Sequence, residues 1–194
     1  LRTWSIGASN LPPETEARRG FELLSERFEK GWMGPVTLLL EAPPGRTVWE
    51  ERSQRAAVDV AERLAKDPRV AAVQGFPQLV ELARRTGTEV SSLEDFPPRV
   101  REVAADVVSA DGRTAQISVV TRLEPQSREA RAHWEELKRA GFPEARSAGL
   151  TVLVGGATAS LADFDRELMG SLPRVAAAVL ALGVLVLLAL FRSL

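Results

Sequence analysis

The sequence has no cysteine and a single histidine in 194 residues. The lack of cysteine excludes a disulfide framework, thiol catalysis, a zinc–thiolate site and an iron–sulfur cluster. One histidine cannot form a multi-histidine metal cluster, so we expect neither a metal nor a cofactor. An excess of charge of one sign is also lacking, since 25 Lys and Arg residues balance 26 Asp and Glu residues. A nucleic-acid partner is therefore not expected, because phosphate binding needs a basic face.

The chain does contain one long hydrophobic run near its C-terminus. Val175–Phe191 has 17 residues without a charged side chain, bounded by Arg174 and Arg192. As a helix it spans about 26 Å, slightly less than a hydrocarbon core of about 30 Å. We expect the two flanking arginines to act as interface anchors that extend toward the head groups. The alternative, a buried core helix, normally keeps a polar face, and this run has none, so a transmembrane helix is predicted.

The residues upstream predict a soluble α+β domain. Short apolar runs bounded by turn residues predict four strands, with helical periodicity between the first and second and between the third and fourth. The predicted strands cover 36–41, 70–74, 114–120 and 150–154. This order is the split βαβ of a ferredoxin-like fold, with an antiparallel sheet and an inserted helical segment at about 76–112. Pro97-Pro98 predicts a short helix within the insertion.

Capping patterns and apolar spacings locate the predicted helices. Thr47 and Glu50 form a capping-box pattern before the first crossing helix. The second crossing helix is indicated by Ala130, Trp134 and Leu137. A further helix ahead of the first strand is predicted from one apolar stripe. Its members are Ala17, Phe21, Leu24 and Phe28.

The last strand leads toward the membrane helix. We predict that Gly155-Gly156 ends the sheet and that a Ser160–Asp163 capping box starts an amphipathic connecting helix. Pro173 either begins the membrane helix or kinks one continuous helix, and we predict a hinge there. The predicted divisions are a domain over 1–159, a connecting helix over 160–173, and the membrane helix with the start of the following loop over 174–194.

Several local motifs are better explained by structure than by chemistry. Gly155–Thr158 lacks the spacing of a phosphate-binding loop and predicts a tight turn. Asp163 and Asp165 do not face each other on a helix, so a paired-carboxylate site is not indicated. His133 lies on a charged helix away from any nucleophile motif and is predicted to be an ordinary surface side chain. Trp4, Trp32 and Trp49 are either interface anchors or core contacts, with core contact slightly favoured.

The order of these motifs resembles the MMPL family of the resistance-nodulation-cell division (RND) superfamily. Leu11-Pro12-Pro13 followed by a helix, and then Gly34-Pro35-Val36 entering a strand, are similar to the start of the family's first extracytoplasmic loop. Ser109–Arg113 resembles its central S-x-D-G-[KR] hairpin. The most specific likeness is Val154–Thr158, followed by Asp163, Leu172-Pro173, the apolar span and Phe191-Arg192-Ser193.

The resemblance implies that the chain is a fragment of a longer transporter, comprising the first porter domain and the second transmembrane helix. It further implies a proton-driven exporter of lipids or other hydrophobic compounds in the bacterial plasma membrane, with the soluble domain on the extracytoplasmic side. The implied partners are the lipid bilayer, an apolar or lipid substrate, the remaining membrane helices and a second porter domain of the same chain. The superfamily's proton-relay residues lie in a later helix, outside this segment.

Two other classes of protein fit the residues. A single-span anchored binding or scaffold domain would use the hydrophobic helix only as a tether. A membrane-tethered enzyme is less favoured, because the sequence shows no nucleophile–base pair and no metal cluster. We therefore expect no catalytic residues.

Overall fold

The computed structural model of the protein describes residues 11–125 and 127–191. The helices in these ranges are α1 (Glu16–Arg27), α2 (Glu51–Ala65), α3 (Phe76–Thr86), α4 (Pro98–Ala105), α5 (Arg128–Arg139), α6 (Pro143–Ser147) and α7 (Ala157–Phe191). The strands are β1 (Val36–Glu41), β2 (Val70–Gly75), β3 (Thr114–Thr121) and β4 (Thr151–Gly156). Short 3₁₀ turns occupy Lys30–Met33 and Leu93–Asp95. Each predicted strand is present within two residues of its expected bounds.

The strands form one sheet in the order β2-β3-β1-β4. Every neighbouring pair is antiparallel. Helix α2 connects β1 to β2, and α5 with α6 connects β3 to β4, so the two βαβ units interleave. The predicted α+β class and ferredoxin-like split βαβ topology are confirmed.

The core lies between one face of this sheet and the two crossing helices. Along β1 the side chains of Val36, Leu38 and Leu40 are buried, while the residues between them are half-buried. This alternation follows from the two-residue period of a strand. Val60 of α2 and Trp134 of α5 belong to the same buried cluster as the β1 residues. The apolar stripes that predicted these helices therefore face the sheet.

The predicted capping box before α2 is wrong. Helix α2 begins at Glu51, and Glu50 stands at the N-cap position without a side-chain capping hydrogen bond. The Glu50 carboxylate instead accepts hydrogen bonds from the Arg46 guanidinium, at 2.8 and 2.9 Å from Nε and 2.5 Å from Nη2. Thr47 lies in a turn, where its carbonyl accepts from the Glu50 N–H at 3.4 Å. An arginine close in sequence therefore binds the carboxylate that would complete a capping box.

The segment between β2 and β3 is helical, as expected of an insertion, but it holds more than the one predicted helix. Helix α3 follows β2 directly, and α4 forms after Pro97 as predicted. Aromatic contacts attach this segment to the core. The Trp49 ring lies 5.2 Å from the Phe76 ring and 5.9 Å from the Phe96 ring, centroid to centroid. Such ring pairs add stability beyond the area they bury.

The last strand ends at Gly155-Gly156 as predicted, but both glycines are part of β4 and do not form a turn after it. Gly155 pairs with Thr37 and Gly156 pairs with Val36. Helix α7 begins at the next residue, Ala157, so Ser160 does not cap it. The direct passage from strand to helix depends on Gly156, which has φ of 107°. A Cβ atom there would lie 2.5 Å from the Pro35 carbonyl oxygen.

We predict that Gly156→Ala destabilises the domain, because the left-handed backbone and the contact with Pro35 both oppose a side chain. The free energy of unfolding should fall by about 1–3 kcal/mol, the usual cost of such strain. It can be measured by denaturant unfolding of the detergent-solubilised chain, followed by tryptophan fluorescence. Gly155→Ala is the matched control, because a Cβ at Gly155 meets nothing within 4 Å. Equal stabilities of the two variants would contradict the prediction.

Candidate functional site

Helix α7 is the candidate membrane element. Within the described residues one helix is long and apolar enough to cross a membrane, with a span of 22 residues at Arg166–Leu187 and a mean hydropathy of 2.0. None of that span is buried against the domain. Exposing an apolar surface of this extent to water is unfavourable, so α7 is expected to lie in lipid.

The predicted site residues of the membrane boundary lie on α7 or beyond it. Pro173 is inside the helix, so the structure resolves the earlier alternative as one continuous helix through this residue. Proline has no N–H to donate to the Met169 carbonyl, and this missing hydrogen bond weakens the helix locally. The hinge at Pro173 stays a prediction. Arg174, the next residue, is exposed, and its role as an interface anchor stays a prediction. Arg192 lies outside the described residues.

The first turns of α7 are attached to the domain. This part of the helix contacts β4, β1 and α5, and Ala159 is buried. The Arg166 guanidinium bridges two carboxylates, with Nη1 at 2.6 Å from Asp163 Oδ1 and Nη2 at 3.5 Å from Glu135 Oε1 on α5. This link is not evident from the sequence, which does not show which helix α7 packs against.

The prediction that His133 is a surface side chain is wrong. Its side chain is only 1% exposed and belongs to the buried face of α5. That face consists of Ala130, His133, Trp134 and Leu137. The positions i, i+3, i+4 and i+7 are the standard spacing of a buried stripe. The spacing itself was the signal, and the charged neighbours on the opposite face of α5 obscured it.

A charged cluster lies beside His133 and connects α5 to the turn before β2. The Arg69 guanidinium donates to both carboxylate oxygens of Asp67, at 3.0 Å from Nε to Oδ1 and 2.7 Å from Nη2 to Oδ2. Its Nη2 also lies 2.8 Å from Glu136 Oε2. His133 Nε2 is 3.3 Å from Asp67 Oδ2, but neither ring nitrogen of His133 has a hydrogen bond of good geometry.

Asp67 and His133 in this cluster both have lowered pKa values, but for different reasons. The hydrogen bonds from Arg69 are the main cause that lowers the pKa of Asp67 to about 2. Burial lowers the pKa of His133, and the positive charge of Arg69 lowers it further, against the weaker opposing effect of Asp67. The Asp67 carboxylate is therefore ionised and bound by Arg69, and the His133 imidazole is neutral and enclosed. This arrangement suits a packing role, because a substrate cannot reach the buried ring.

The remaining polar features carry no evident chemistry. In residues 11–125 and 127–191, no group of three His, Asp or Glu side chains is placed to hold a metal ion. A depression of about 500 Å³ on the α2–α3 side is lined by four charged residues, two of each sign, and one valine. They are Glu51, Arg55, Val58, Asp59 and Arg84. Mixed charge around an open depression does not suit an apolar ligand.

The tryptophans differ in environment, as the sequence could not show. Trp49 is 6% exposed and confirms core contact, whereas Trp32 is 49% exposed. Trp4 lies outside the described residues. Helix α1 is present as predicted, yet the apolar residues Leu24 and Phe28 on its stripe are exposed rather than packed on the domain.

We predict that His133 makes stability depend on pH near neutrality. Because its pKa in the folded chain is below the ordinary value of 6.5, the unfolded chain binds more protons there. The free energy of unfolding should fall as the pH drops below about 6.5, by at most about 1.4 kcal/mol per pH unit. Denaturant unfolding at several pH values below about 6.5 measures this dependence of the free energy of unfolding. His133→Phe should abolish this slope and keep the loss below about pH 4 that Asp67 causes, whereas an unchanged slope in that variant would refute the assignment.

Comparison with known proteins agrees with this arrangement. The chain is 25% identical over 181 residues to the mycolic acid-containing lipids exporter MmpL11 of Mycolicibacterium smegmatis. The match covers 93% of this chain and 16% of that relative, so the chain spans about one sixth of the relative's length. The sequence profile of the MMPL family matches residues 9–194, which is nearly the whole chain. An α+β domain that continues into an apolar helix, together with this match, shows that the chain belongs to the MMPL family.

Proposed function

We propose that this chain forms a porter domain and one membrane helix of a proton-motive-force-driven exporter of lipids or other hydrophobic compounds. The observation that carries the proposal is the uninterrupted passage from β4 into α7, in which Gly156 ends the strand and Ala157 begins the helix. A helix that continues from a strand without a loop passes its displacement to the sheet. Family membership and the similarity to a lipid exporter support the same role.

In this proposal the domain passes its substrate on and does not convert it, so the chain is not an enzyme. Two observations support this. His133, the one histidine, is enclosed in the core, and the Asp67 carboxylate beside it is occupied by Arg69. General acid–base catalysis needs a titrating group within reach of a substrate, which these two side chains do not offer.

Proton coupling is assigned to other parts of a longer chain. The apolar run Val175–Phe191 has no ionisable side chain, and proton relays in membranes use ionisable residues that face a protein interior or a water-filled cavity. The proposed partners are therefore further membrane helices and a second porter domain, with the lipid bilayer around α7. The porter domain is assigned to the extracytoplasmic side of a bacterial plasma membrane.

The decisive experiment measures lipid export by the full-length protein that contains this segment. Cells that lack its gene are compared with complemented cells, and newly labelled lipid is quantified at the cell surface with and without a protonophore. We expect complementation to raise surface lipid and the protonophore to abolish the increase. Equal surface lipid in both strains would contradict transport and favour the rival function, a domain tethered by one helix.

We predict that Pro173→Ala reduces export several-fold without changing the amount of protein in the membrane. Alanine supplies the N–H that proline lacks, so residue 173 can donate to the Met169 carbonyl and the helix stiffens at the proposed hinge. The lipid assay above measures the effect. Val179→Ala is the control, because Val179 is an exposed residue farther along the same helix. Export equal to that of the control would count against a hinge at Pro173.

A further inference from the structure

In the described residues, the ion pair of Arg166 with Glu135 links α7 to the domain close to the start of the exposed, apolar part of the helix. The Arg166 guanidinium contacts Glu135 of α5 at 3.5 Å and Asp163 of its own helix at 2.6 Å. Beyond Arg166, every α7 side chain that the structure describes is exposed or half-buried. The position of Arg166 therefore separates the docked part of α7 from the part that leads into the apolar span.

The two carboxylates give Arg166 different roles in the two contacts. Asp163 lies three residues earlier on α7 and moves with Arg166, whereas Glu135 belongs to the domain. When α7 separates from α5, Arg166 keeps one carboxylate partner and is not left unpaired. The Arg166 side chain is 61% exposed and the Glu135 side chain 34%, so water also solvates the separated groups. Partly exposed pairs of this kind contribute little to stability, because water screens the charges and both side chains lose conformational freedom, which makes the contact easy to break.

Helix α5 continues the connection to the far edge of the sheet. The residue after Glu135 is Glu136, which binds Arg69 at 2.8 Å just before the edge strand β2. Adjacent carboxylates on one helix thus bind α7 on one side and the turn before β2 on the other. The buried face of α5 fixes this helix on the sheet. While the Arg166–Glu135 contact is intact, a displacement of α7 therefore pulls on a helix that is packed in the core.

We propose that Arg166 is an electrostatic latch that holds the first turns of α7 against α5 and releases them at low cost. The latch itself is a property of this chain and stands independently of transport. Its role, which rests on the proposed function, is to let the membrane helix dock on and separate from the porter domain during export.

The latch is tested first on the chain in nanodiscs by spin-label distances. The absence of native cysteine lets Ala132→Cys on α5 and Gly170→Cys on α7 carry the two labels, and both positions are exposed. We expect one predominant short distance. Glu135→Gln should at least double the longer-distance population, as should 1 M salt, because salt screens exposed pairs. Glu129→Gln, the same change in the first turn of α5, is the matched control.

A charge exchange separates a latch from a general loss of packing. Arg166→Glu should shift the distances further, and Arg166→Glu combined with Glu135→Arg should restore the short distance. A Glu135→Gln distribution identical to that of Glu129→Gln, or no restoration in the exchanged pair, would overturn the latch.

The transport role is tested in the full-length protein, in a background without other cysteines. Glu135→Cys and Arg166→Cys are joined by a reducible bis-thiosulfonate reagent, which should block lipid export until a reductant is added. Each single cysteine variant treated with the same reagent is the control. Undiminished export by the cross-linked protein would overturn the transport role. Absence of export from the full-length protein that keeps Glu135 and Arg166 would instead refute the proposed function, while the distance measurements still decide whether the latch exists.

Discussion

Strand β1 pairs along its whole length with two strands at once, six residues with β3 and six with β4. This double pairing is the constraint on which the other elements depend. It places Gly156, the end of β4, beside Val36 and under the Pro35 carbonyl, where only a residue without a Cβ fits. Because α7 begins at the next residue, the registry of β1 with β4 sets where the membrane helix leaves the domain.

Helix α5 connects the core to ion pairs at the surface. Its buried face carries His133 and Trp134 into the core, so the position of the helix over the sheet is set by packing. Its outer carboxylates, Glu135 and Glu136, then meet Arg166 and Arg69 on two different elements. Buried packing is stronger than ion pairs at the surface, so the buried face rather than these two ion pairs sets the position of α5.

The elements that were predicted correctly are those whose signal is local. The strand β1 was found from a short apolar run, and α2 and α5 from apolar spacing. Two errors have different origins. Gly155 and Gly156 read as a turn, but pairing with the distant strand β1 keeps them in the sheet. Glu50 reads as part of a capping box, but its carboxylate is bound by Arg46, four residues earlier, because one local contact replaces another.

The sequence by itself determined the class of this protein: an α+β domain of two βαβ units joined to an apolar helix without ionisable groups. Periodicity and hydropathy suffice for this, because they depend on residues close together in the chain. Only the tertiary structure decided that His133 is buried, that Trp32 is exposed and that Arg166 meets Glu135. The physical reason is that burial and ion pairing are set by elements far apart in sequence, which approach each other only when the sheet forms.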